Sequence, residues 1–145
     1  MTFQTAMLAS EAFSYIRQNV PAWKAQAQNA NITLAAGNVD TNYVYTVLDG
    51  LRQIRDALAQ WKIVTGLDTY AASVGYSGSM VADCTSTQTA AVNAITWVFQ
   101  NFPTSGGFVT DNTLNADGSR TARSFTSAQT SGLQTLITVL IATIN

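Results

Sequence analysis

Val44, Val47, Leu51, Ile54, Leu58 and Trp61 recur at steps of three and four residues, and this stripe constrains the fold more than any other feature of the chain. Such spacing gathers large apolar side chains on a single face of a helix. It predicts a helix of roughly six turns over 40–64, which other elements must cover along its length. Asp40 is placed to cap it and Gly66 to close it. Asp49, Arg52, Arg55, Asp56 and Lys62 fall mostly away from the stripe. Arg52 and Asp56, four apart, are spaced to pair on the surface, for about 0.3 kcal/mol.

The rest of the chain supplies covering helices. Phe3, Met7, Leu8, Ala12, Tyr15 and Ile16 share one helical face over 3–19. Pro21 then stops that pattern or opens a second, short helix through the Ala- and Gln-rich stretch 21–38, which ends at Gly37-Asn38. Residues 67–75 fit a two-turn helix capped by Gly75, and YSGSMVADC (76–84) reads as a weakly structured connection. Thr85 or Ser86 caps a helix whose Val92, Ile95, Val98, Phe99 and Phe102 face one way until Pro103. Thr126 or Ser127 opens the last helix, with Leu133, Leu136, Ile137, Leu140, Ile141 and Ile144 on its apolar face. The expected fold is all-α, a bundle of four to five helices in one domain over 1–145. A chain of 145 residues is long enough to bury about two thirds of its unfolded surface without a disulfide or a metal.

No charged residue follows Arg123, so the last helix invites comparison with a membrane span. Its dense apolar stretch, about a dozen residues broken by Thr135, Thr138 and Thr143, falls short of the about twenty a bilayer requires. A buried bundle helix or a subunit contact is the better reading. The N-terminus lacks a basic segment and carries Glu11 within its apolar pattern, unlike a secretory signal.

Charged residues make up only 10% of the chain, with a net charge of −1, against about 25% in ordinary soluble domains. That balance offers nucleic acid no general attraction. It also weakens the self-repulsion that keeps copies apart, which favours self-assembly. The absence of histidine removes Ser-His-Asp and Cys-His catalysis and His-ligated zinc. Cys84, the single cysteine, reads as a small buried apolar residue rather than a reactive thiol. GYSGS at 75–79 misses the G-x-S-x-G spacing by one residue. TLNADGS imitates the middle of an EF-hand loop, but its first ligand position is Thr113 and its last is Ser124. Asp49 and Asp56 lie about 10 Å apart along one helix with arginines between them, a solvated face rather than a catalytic pair. No enzyme, cofactor or metal site is therefore expected.

Residues 106–125, GGFVTDNTLNADGSRTARSF, break the helical pattern. Asn115-Ala116-Asp117-Gly118 has the chemistry of a type I turn followed by a left-handed glycine. The flanks carry Thr, Val and Phe, which suit strands, so a β-hairpin protruding over about 107–125 is expected. Its alternation separates no apolar face: Phe108 and Leu114 share a parity with Thr110 and Asn112, and Val109 shares one with Asp111. Arg120 and Arg123 point to opposite faces and form no phosphate-binding stripe. A lone hairpin is marginal in water. This one packs on its own helices, stays unpacked, or pairs with a neighbouring subunit, the outcome that low charge and two polar faces favour. Phe108, Val109, Leu114, Asn115, Asp117, Gly118, Arg120 and Arg123 are then the candidate interface. Trp23, standing beside the break at Pro21, is an added candidate anchor, although tryptophan in a helical setting is more often core.

In its order of elements (helix 40–64, helix 86–102, arm 106–125, helix 126–144) and its Thr-, Ala-, Asn- and Gln-rich, charge-poor composition, the chain resembles small virion proteins of tailed bacteriophages, and head-to-tail connector subunits of the neck in particular. The resemblance implies a homo-oligomeric ring in which an extended segment embraces the adjacent subunit. It also implies portal or tail proteins as partners, a place in the virion after assembly in the host cytoplasm, and neither a membrane nor a specific nucleic-acid sequence as ligand. A capsid-decorating or tail protein, a small-ligand-binding helical bundle and a membrane-acting lysis protein are the competing readings.

Overall fold

The computed structural model describes residues 3–36, 41–102, 113–114, 116, 120–121 and 127–144. Among the described residues there are five helices: α1 (Phe3–Ala36), α2 (Thr41–Trp61), α3 (Leu67–Ser73), α4 (Met80–Asn101) and α5 (Ser127–Thr143). The fold is all-α. Contacts join α1 to α2, α2 to α4, α4 to α5 and α5 to α1, closing a ring of four long helices, while α3 lies against α1 and α4. Each neighbouring pair runs in opposite directions. Tyr15 stacks on Trp61 and Gln26 meets Gly50 between α1 and α2. Lys62 reaches Thr85 and Arg52 reaches Phe99 between α2 and α4. Thr87 reaches Thr143 while Trp97 reaches Gln129 between α4 and α5. The result is an up-down-up-down four-helix bundle.

The α2 stripe behaves as its spacing predicts. Val44, Val47, Leu51, Ile54 and Leu58 are buried, with Leu48 beside them, and Trp61 is partly buried against Tyr15 at 4.8 Å between ring centroids. The helix ends at Trp61 rather than near Gly66. Gly66 (φ 84°) instead stands at the start of α3, where Tyr70 N–H donates to its carbonyl at 2.9 Å. The surface pair also differs from expectation. Asp56 pairs with adjacent Arg55 (2.8 Å), while the Arg52 guanidinium lies 5.5 Å from the centroid of the Phe99 ring, a cation–π contact.

Pro21 does not divide the first helix; α1 runs unbroken for 34 residues. Proline removes one backbone donor and crowds the carbonyl four residues back, at about 3 kcal/mol or more. Here the ring is exposed, so the affected turn faces water, and the buried residues lie on another side. Ile16, before the proline, and Trp23, Ala27, Ala30 and Leu34, after it, all join the core. Burying side chains of leucine or tryptophan size contributes about 1.5–3 kcal/mol each, which outweighs the local penalty. The buried face of α1 is thus Ala9, Ala12, Ile16 and their successors, whereas Met7, Leu8 and Tyr15 of the expected face are exposed.

The α3–α4 connection is more ordered than its sequence suggests. Gly75 N–H donates to the Ala72 carbonyl and Tyr76 N–H to the Ala71 carbonyl, with Gly75 at φ 91°. This is the paired closure that a left-handed glycine permits, so the Gly75 cap is where the sequence places it. α4 then starts at Met80, six residues before Ser86. Ser79 is its cap: its Oγ accepts from Ala82 N–H (3.1 Å) and donates to Asp68 Oδ2 (2.7 Å), while Asp68 Oδ1 accepts from Val81 N–H (2.9 Å). The buried face of α4 is Met80, Cys84, Thr87, Ala90, Ala91, Ala94, Ile95, Val98 and the following Phe102. Val92 and Phe99 are exposed instead of sharing that face.

Asp68 links this junction to pH. The Val81 N–H bond first, aided by Ser79 and Met80, holds its carboxyl below the ordinary 3.8. A depressed folded-state pKa gives stability that is complete above the unfolded value and lost as pH falls through the folded one. Thermal midpoints measured from about pH 6 down to about pH 2 should fall less steeply in Asp68→Asn than in the native chain. Ser79→Ala should cost about 1 kcal/mol at neutral pH.

On α5, Leu133, Ile137, Leu140 and the following Ile144 are buried, and Leu136 and Ile141 pack partly against the core. No helix among the described residues is long and apolar enough to cross a membrane. Between α4 and α5, Thr113–Leu114 (β1) pairs antiparallel with Arg120–Thr121 (β2), Thr113 opposite Thr121 and Leu114 opposite Arg120, with Ala116 in a turn. A hairpin protruding over 107–125 is not supported: two paired residues a side form a ladder too short to stand alone, and the remainder of that segment lies outside the described residues.

Candidate functional site

Two surface features stand apart from ordinary packing. One is a groove of about 450 Å³ along the α1–α2 seam. It exists because α1 presents alanines there (Ala22, Ala25, Ala27 and Ala30), whose short side chains leave room along the seam. Leu51, Ile54, Ile137 and Leu140 form its apolar floor, and Gln26, Asn29, Tyr43 and Thr46 supply amide and hydroxyl groups. A Cβ at position 50 would collide with the Gln26 carboxamide. Glycine in a helix interior costs about 1 kcal/mol relative to alanine; here it lets the Gln26 side chain lie across α2.

The second feature lies toward the other end of α1. Leu8 and Ile63 line one shallow depression together with Gln4, Gln60 and Val64, and Met7 stands next to Leu8 in α1. Leu8 is 50% and Ile63 74% exposed. Two large apolar side chains exposed side by side across α1 and the end of α2 are the kind of surface that interaction sites present.

A third cluster is structural. The Tyr76 hydroxyl donates to Asp83 Oδ2 at 2.5 Å, and the Arg17 guanidinium lies 5.7 Å from the centroid of the Tyr76 ring. Phe13 meets Tyr70 and Tyr76 edge-on, with centroids 5.6 and 6.2 Å away. Burial first, then the bond to Asp83, pushes the Tyr76 hydroxyl up to about 12. Burial likewise pushes the neighbouring Cys84 thiol up to about 11. Both groups therefore keep their protons at neutral pH, and Cys84 is packed as expected, not poised as a nucleophile. No three His, Cys, Asp or Glu side chains gather into a metal-binding group among the described residues.

Of the residues expected at an interface, Leu114 and Arg120 are brought opposite each other in the short ladder. Phe108, Val109, Asn115, Asp117, Gly118 and Arg123 lie outside the described residues. Trp23 is a correction. It is 6% exposed, within the core and beside Leu58 and Met80, because α1 continues through Pro21 and turns the indole inward. It has no face left for a neighbour. Sequence reasoning missed both the groove and the Leu8–Ile63 depression. Alanine runs carry no periodic apolar signal, and Leu8 reads as a core position until its register is known. Compared with known proteins, the chain matches no family model, no curated protein and no solved structure.

Proposed function

We propose that this chain is a non-enzymatic structural subunit that assembles with copies of itself, and that its setting is a tailed-phage particle, at the neck between head and tail. The observation that carries the reading is the exposed apolar depression at Leu8 and Ile63 on a molecule with few charges to keep copies apart. The bundle serves as a rigid wedge. The 106–125 segment between α4 and α5 embraces the adjacent subunit and fixes its register, and a ring forms where the rotation closes.

Light scattering after size exclusion, over a wide concentration range, tests the proposal. The native chain should run as a discrete oligomer. Leu8→Asp with Ile63→Asp should return it to a 15.5 kDa monomer with an unchanged melt, since both positions are exposed. Removing 109–123 with a short Gly/Ser closure should likewise spare the helices and abolish assembly. A native chain that stays monomeric both alone and on incubation with portal or tail proteins would defeat the reading.

A further inference from the structure

We infer that the α1–α2 groove is a binding site for a small, uncharged, largely apolar molecule carrying a group that hydrogen-bonds to an amide. Its volume, about 450 Å³, falls within the roughly 300–1,000 Å³ of small-molecule sites. No Asp, Glu, Lys or Arg lines it. A charged ligand would lose hydration on entering and meet no counter-charge, so a neutral one is favoured. The floor is already fixed by core residues of α2 and α5, so the site is preformed. Gly50 is an independent sign: it accepts the cost of a mid-helix glycine, and the room it leaves is taken by the Gln26 carboxamide, which sets a polar group against α2 in the lining of the groove.

The dimensions favour a small molecule over a second protein. The lining spans residues 22–30 of α1 and 43–54 of α2, lengths of about 12 and about 17 Å. A stable protein interface covers about 800 Å² per partner, far more than such a slot supplies. The groove is also separate from the assembly patch, since Leu8 and Gln26 are about 27 Å apart along α1. The ligand site therefore stands whether or not the chain assembles.

The test is fluorescence titration with N-phenyl-1-naphthylamine, a neutral apolar probe bearing an N–H donor that brightens on leaving water. The native chain should give saturable one-to-one binding, and saturating probe should raise its melting temperature. Ala25→Phe fills the groove from an exposed rim position and should weaken binding about tenfold or more with little change in the melt. Ala22→Phe is the second filling variant should the first not melt cooperatively. Leu8→Asp with Ile63→Asp should bind as the native chain does. Absent or non-saturating enhancement, or equal binding by a folded filled variant, would overturn the inference. So would an oligomer that Ala25→Phe dissociates, because the groove would then belong to a second copy.

Discussion

Leu48→Asp should abolish the cooperative melt altogether. Leu48 is 1% exposed and borders none of the described cavities, so a carboxylate there has no water and no cation to reach. Burying a charge without a partner costs several kcal/mol even after the group protonates. Domains of this size are stable by only about 5–15 kcal/mol. Leu51, one turn on, is a less incisive site because it borders the groove, where an aspartate gains access to solvent. Leu48→Ala is the control. It should lower stability by about 2–5 kcal/mol and leave a folded, cooperative protein by circular dichroism. A native-like melt for Leu48→Asp would mean that the register of α2 is wrong.

The second large effect is expected from the smallest change, Gly132→Ala. A Cβ at position 132 would fall within the Trp97 indole. That ring is not free to swing aside, since its Nε1 donates to the Gln129 carbonyl at 3.2 Å on the same helix, and Gln129 Nε2 returns a bond to the Asn101 carbonyl at 2.7 Å. α5 must therefore move off α4 or the indole must leave its hydrogen bond. Overpacking of this kind costs about 1–3 kcal/mol, sometimes more, although alanine is the better helix former by about 1 kcal/mol. Trp97→Leu alone should also destabilise. The combination Gly132→Ala with Trp97→Leu should recover part of the loss, a non-additivity that denaturant titrations of the four chains would measure. Strict additivity would remove the collision as the cause.

What could be read in advance follows from side-chain size. The faces of α2 and α5 are built from Val, Leu and Ile, whose spacing is plain, and both helices lie where that spacing puts them. The first half of α4 is buried through Met80, Cys84, Thr87, Ala90, Ala91 and Ala94. Small and polar residues of that kind draw no stripe, so the sequence pattern starts the helix later than the fold does. Its cap is completed by Asp68, eleven residues before Ser79, a partnership that only folding creates. α1 was obscured by Pro21, because a local breaking tendency says nothing of the burial waiting on both sides of it. The candidate sites were the least legible. A groove made from missing side chains leaves no mark in a hydrophobic pattern, and Arg52 covering Phe99 depends on the way α2 crosses α4.

The ring of helices closes between elements far apart in the chain. Asn31 Nδ2 donates to Thr138 Oγ1 at 3.0 Å, and Gln134 Nε2 reaches the Asn31 carbonyl, across 107 and 103 positions. Short closures cost less chain entropy than long ones, so α1 with α2 and α2 with α4 are expected to come together first. They leave a trough of three helices with its apolar side open. During synthesis, at about 5–20 residues per second, that trough waits some seconds for the last helix to emerge. α5 contacts both α1 and α4, so its arrival covers both walls at once and closes the bundle.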